Sequence, residues 1–168
     1  MSEKKKELDH LKDWENMMYF AIELIKESKQ YKGTGIMGER IMILHLDHAN
    51  ELLMKSFLLE KGYVISYLDR KEAEKGIKKE EILNKDKTID YYDCLNLVCQ
   101  EINNDETKFS REKQDKILNF HRLRNEIQHR AINIPQDKKE EIRLFYPYFK
   151  ELYTLMFPKF ADVFPEVF

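Results

Sequence analysis

Apolar residues return every three or four positions through long, nearly uninterrupted segments, and this constrains the chain more than any other feature. Only five glycines and four prolines punctuate its 168 residues, and they cluster between the periodic stretches. That spacing lines one face of an α-helix. Leu8 to Tyr31 carries Leu8, Leu11, Trp14, Met18, Ala21, Ile25 and Ser28 in this rhythm, and Gly33-Thr34-Gly35 then predicts a turn. Glu39 to Lys61 is the most apolar candidate, with Ile41, Leu44, His45, His48, Leu52 and Phe57 along one side, Leu53 and Met54 widening the stripe, and Gly62 as a stop.

From Tyr63 to Lys87 the rhythm fails. Val64-Ile65-Ser66-Tyr67 has strand character but no partner run, so the stretch is expected to be a long connection containing a helical turn. Thr88 can cap a third helix holding Ile89, Tyr92, Leu95, Cys99 and Ile102, which ends at Asn103-Asn104-Asp105. Ser110 can cap a fourth, running to about Arg130 with Ile117, Phe120, Arg124 and Ile127 on one side. A last helix is expected from Asp137 to Phe157, kinked near Pro147. These elements predict an all-α, four- to five-helix up-down bundle. It forms a single domain over residues 1–168, with a long irregular connection between the second and third helices.

Charge narrows the function. The 29 Lys and Arg nearly cancel the 31 Asp and Glu, so any nucleic-acid contact must rely on a local patch. Cys94 and Cys99 are five apart on one helix, about 140° around it, and should remain reduced core residues. The Lys/Glu-rich start lacks the apolar stretch of a signal peptide, and no apolar run is long enough to span a bilayer. A cytoplasmic protein without a membrane partner is the expectation.

The fourth helix gathers His121, Arg122, Arg124, Asn125, Gln128, His129 and Arg130. Asn125 and His129 differ by about 40° around the helix, and His121 continues that line one turn earlier. Histidine suits proton transfer near neutral pH, and arginine clamps phosphate. Together they suit phosphodiester cleavage. The same residues also read as a solvated face, with Glu126 bridging Arg122 and Arg130 at four-residue spacing.

Metal chemistry finds less support. Glu7-x-x-His10 and Glu126-x-x-His129 both match the Glu-x-x-His unit of di-iron bundles, yet about one such match is expected by chance. His45 and His48 lack a clear third ligand for zinc. No metal site and no cofactor are expected. Nine of the twenty aromatics follow Leu144, which fits either a partner surface or a tail folded over the bundle.

The string Arg124-Asn125-x-x-x-His129 resembles the Arg-x4–6-His motif of the HEPN superfamily, where Asn often follows Arg. His48-Ala49-Asn50-Glu51-Leu52-Leu53-Met54-Lys55 is similar to the Leu-Leu-x-Lys stretch on an early helix of such domains, and Lys87-Thr88-Ile89-Asp90 to the opening of the middle helix in some subgroups. The likeness covers roughly residues 40–132. It implies a dimeric, metal-independent endoribonuclease of toxin–antitoxin, phage-defence or RNA-processing systems, with RNA as substrate and an antitoxin protein as a further partner. By resemblance, Arg124, Asn125 and His129 are catalytic: His129 moves a proton, Arg124 holds the scissile phosphate and Asn125 orients one of them. Arg122, Gln128 and Arg130 would bind RNA, and His48 or Glu51 would steady the arginine. Family members paired with nucleotidyltransferase antitoxins often continue His-x-Tyr. Here Ala131 stands at that position, so control through modification of that tyrosine is not expected. Many HEPN domains are noncatalytic, so a helical module that binds RNA or protein is the alternative.

Overall fold

The computed structural model describes residues 3–63, 65, 89–104, 108–130 and 136–167; for residues 3–12, 130 and 136–142 it describes the backbone alone. Five α-helices lie among the described residues: α1 (Glu3–Gln30), α2 (Ile36–Glu60), α3 (Tyr91–Ile102), α4 (Arg111–Arg130) and α5 (Gln136–Met156). A 3-10 turn, Pro158–Val163, follows α5.

The turn between α1 and α2 is tight because Gly38 has no side chain. A Cβ there would meet Thr34 Oγ1 at 1.8 Å and the Tyr31 carbonyl at 2.8 Å, so the turn lies directly on the first turn of α2. The two helices then run antiparallel: Tyr31 packs on His45, Phe20 on His48, and Ser56 Oγ donates to the Trp14 carbonyl at 2.7 Å. Antiparallel packing also joins α4 to α5, where Phe120 stacks on Phe145 and Lys113 donates to Glu151. In the α3–α4 hairpin, Tyr91 meets His121 near the open end and Asn103 meets Phe109 near the turn.

Up-down alternation is interrupted between α2 and α3. Asn50 bonds Tyr91 and Tyr63 bonds Glu101, so both helices advance in the same sense. The chain has returned to the start of α3 by Ile65, whose carbonyl accepts from Ile89 N at 2.5 Å.

Packing differs from expectation in phase on α2 and at one position on α3. On α2 the buried apolar positions are Met42, Ile43, Leu46, Ala49, Leu53, Met54, Phe57 and Leu58, whereas Ile41, Leu44, His45 and Leu52 are half-buried and His48 is exposed. The cause is that α2 is the central helix, contacting α1, α3, α4 and α5, so its apolar residues extend nearly all round and no single stripe marks the core. The stripe predicted for the third helix is buried at Ile89, Leu95, Cys99 and Ile102, but Tyr92 on α3 is exposed and its neighbour Tyr91 is buried instead. The α3 N-cap is Asp90, whose carboxylate accepts from Asp93 N at 2.9 Å; Thr88 lies outside the described residues, as does all of the possible strand except Ile65. Ser110 caps α4 as expected, at 3.4 Å from Lys113 N, and Pro147 sits inside a continuous α5.

The aromatic C-terminal region folds inward. Phe145, Tyr146, Phe149, Tyr153, Phe157 and Phe164 are buried, Trp14 stacks on Phe157, and Phe164 packs among Tyr146, Phe149 and Tyr153. Hydrogen bonds tie the tail down: Tyr146 OH donates to the Pro165 carbonyl, Val167 N donates to Tyr146 OH at 3.1 Å, and Tyr153 OH donates to the Phe160 carbonyl at 2.9 Å. Phe168 lies outside the described residues.

Candidate functional site

A polar cluster crosses the bundle where α2, α3 and α4 meet. Its anchor is Asp47, a carboxylate with no solvent exposure in the middle of the most apolar helix. Burying an uncompensated charge is costly, so such a group is found only with partners. Asp47 has two, both from α4. His121 Nδ1 lies 2.9 and 3.2 Å from its oxygens, and Arg124 Nε lies 3.4 Å away, an ion-pair distance at which Nε completes no hydrogen bond.

The spacing on α4 brings a third residue in. Asn125 is one turn beyond His121, and the two side chains meet at 3.1 Å between Nδ2 and Nε2. Arg124 Nη1 donates to Asn125 Oδ1 at 2.8 Å. Asp47, His121, Asn125 and Arg124 therefore form a closed circuit, with about a fifth of the His121 and Arg124 side chains still open to solvent. Tyr91 floors it, its ring stacked on His121 at 3.8 Å between centroids. Burial, together with the charge of Asp47, pushes the Tyr91 hydroxyl well above its ordinary pKa, so it stays protonated; Asn50 Nδ2 donates to it at 2.5 Å. Asn50 Oδ1 is buried and has no hydrogen-bond partner among the described residues.

Beside this circuit, Asp90, Tyr91, Tyr92, Leu118, His121 and Arg122 line an open cavity of about 310 Å³. His121 thus belongs both to the circuit and to the cavity wall.

The predicted site residues divide into two groups. Arg124 and Asn125 come together, bonded to each other. His129 lies one turn beyond Asn125, exposed, and no described residue hydrogen-bonds it. Arg122 and Gln128 are also exposed, and Arg122 donates to Asn119 Oδ1 at 3.0 Å; the Arg130 side chain is outside the described set. His48 packs its ring edge against Phe20, and Glu51 pairs with Lys55 at 2.5 Å. The group that steadies Arg124 is Asp47, one residue before His48. An aspartate flanked by Leu46 and His48 in the most apolar helix, which also carries Glu39, Glu51 and Glu60, was the available signal for it.

Among the described residues no three His, Cys, Asp or Glu side chains are gathered as a metal site. The side chains of Glu7 and His10 lie outside that set. Cys94 and Cys99 are free and buried, and burial pushes both thiols up to about 12. No helix among the described residues is long and apolar enough to cross a membrane.

Fold and site together define an all-α bundle with a half-buried Asp–His–Asn–Arg circuit on its central helices. Comparison with protein-family models, with curated proteins and with solved structures finds no match to this chain.

Proposed function

We propose that the chain is a HEPN-like, metal-independent endoribonuclease acting as a homodimer, with Arg124, Asn125 and His129 as its reacting group. The observation that carries this reading is that Arg124 and Asn125, neighbours in the motif, are bonded to each other and backed by a wholly buried carboxylate, while the guanidinium stays partly open to solvent. An arginine anchored on one side is oriented in advance, and a donor fork held in place stabilises charge on phosphorus without reorganising. His129, exposed one turn away, moves the proton of the ribose 2′-hydroxyl or of the leaving oxygen. Arg122, Gln128 and Arg130 lie on the same helix to meet the RNA backbone. Exposed Tyr19, Phe20, Ile36 and Met37 on α1 and α2 offer apolar surface for a second copy. Reduced cysteines suit the cytoplasm, and a toxin–antitoxin, phage-defence or RNA-processing setting, with an antitoxin as partner, follows from the same reading.

One observation favours the second reading, a noncatalytic module binding RNA or protein: no described side chain orients His129. The test is cleavage of, and affinity for, one RNA in EDTA, across wild type, His129→Ala, Arg124→Ala and the double variant. His129→Ala should lower the cleavage rate by roughly 100- to 10,000-fold with little change in affinity. Arg124→Ala should weaken both, and the double variant should be little worse than the poorer single. An unchanged rate in His129→Ala would sink the catalytic assignment and leave the binding module.

A further inference from the structure

The neighbours of Asn125 determine which way its amide points, and the amide determines the proton on His121. Arginine carries donors only, so the Asn125 atom 2.8 Å from Arg124 Nη1 must be the carbonyl oxygen. Nδ2 then faces His121 Nε2 at 3.1 Å. An amide nitrogen donates, so Nε2 must offer its lone pair. The ring proton therefore sits on Nδ1, which donates to Asp47 at 2.9 Å.

Charge counting gives the same answer. The titratable and charged groups around the ring are Asp47 from α2, Asp90 and Tyr91 from α3, and Arg122 and Arg124 from α4. Tyr91 is neutral, and Asp90 is exposed at its helix cap. The buried Asp47 charge already has Arg124 at 3.4 Å. An imidazolium would bring a second positive charge to the same carboxylate. It would also set Nε2–H against Nδ2–H. Reversing the amide to relieve that clash would turn Nδ2 onto the guanidinium, again donor against donor.

We infer that His121 is a neutral imidazole with its proton on Nδ1, and that it is a positioning residue. It couples the buried Asp47 carboxylate through Asn125 to Arg124 and transfers no proton itself. The role rests on the reading of Arg124 as the phosphate-holding group; the proton assignment does not.

Two measurements test it. Long-range proton–nitrogen correlation spectra of the labelled full chain at neutral pH should show His121 with a protonated Nδ1 and a bare Nε2. Asn125→Asp replaces the donor with a carboxylate and should drive His121 to the doubly protonated form. Wild-type His121 bearing its proton on Nε2, or on both nitrogens, overturns the inference, as does an Asn125→Asp spectrum unchanged from wild type.

In the second measurement, His121→Phe keeps a ring on Tyr91 and removes both nitrogens. It should weaken binding of a short, mixed-sequence single-stranded RNA by about five- to thirty-fold, the worth of one misaligned charged hydrogen bond. Wild-type affinity in that variant overturns the positioning role. If the wild type itself binds no RNA, the ribonuclease reading falls, the positioning role falls with it, and the spectra alone decide the proton assignment.

Discussion

The aromatic closure at the C-terminal end and the polar circuit at the α2–α3–α4 junction are both interior, and they hold together in opposite ways. In the closure, Trp14, Tyr146, Phe149, Tyr153, Phe157 and Phe164 share many contacts, none of which requires one geometry. In the circuit both ring nitrogens of His121 and both amide atoms of Asn125 have assigned partners, and changing one changes the proton or amide orientation of the next. Apolar packing tolerates substitution in proportion to volume lost. A charged network fails as a unit, because the group left behind is a desolvated charge. The circuit is therefore the less forgiving region, although it is the smaller.

Alkaline pH should break the comparison most completely, because it attacks the apolar interior. Burial raises Tyr146 and Tyr153 to about 12 from 10.0, and Cys94 and Cys99 to about 12 from 9.0. In the unfolded chain these groups lose protons near their ordinary values; in the folded chain they keep them. Their contribution to stability is thus complete below pH 9.0 and is lost progressively as pH rises toward about 12. Helical circular dichroism should collapse over that window, together with the rise of tyrosinate absorbance. Helicity retained while the tyrosines ionise would show that they titrate without opening the core.

Asp47→Ala should be the costliest single change at the circuit, at about 3–5 kcal/mol, because it leaves Arg124 without its counter-charge and the His121 Nδ1–H without its acceptor. Chemical denaturation measures it, and a cycle with Arg124→Ala sharpens it. The double variant should recover part of the loss, since the stranded charge is gone. Strict additivity would mean that Asp47 acts by packing, like the aromatics. The smallest effect belongs to the closure: Tyr146→Phe removes the hydroxyl that meets both Pro165 and Val167, and should cost about 1 kcal/mol by denaturant titration. A loss as large as that of Asp47→Ala would make the tail a network too.

Long elements were legible because their periodicity is long. The α1 stripe through Trp14, Met18, Ala21 and Ile25 is buried as spaced, and the Ser110 cap holds. The phase of α2 was not legible, since a helix packed on most sides has no polar face to set the phase by. The same surroundings hid Asp47: its partners stand 74 and 77 positions further on, and no local spacing encodes them. Arg124 and Asn125 were readable as a pair because adjacent residues need only one helix to meet. His121 was visible as one turn from Asn125, but its role depends on Asp47 and could not be assigned without it.

That separation of 74 positions has a kinetic meaning. The α1–α2 and α4–α5 contacts join elements adjacent in the chain, so each hairpin closes a short loop and can form early. The bond between Asp47 and His121 closes only when the finished α1–α2 hairpin docks on the α4–α5 hairpin, late on the path. Interactions absent from the transition state act on the rate of unfolding and hardly on the rate of folding. The circuit is then the latch of this bundle: it contributes little to finding the fold, and it sets how long the assembled site stays closed.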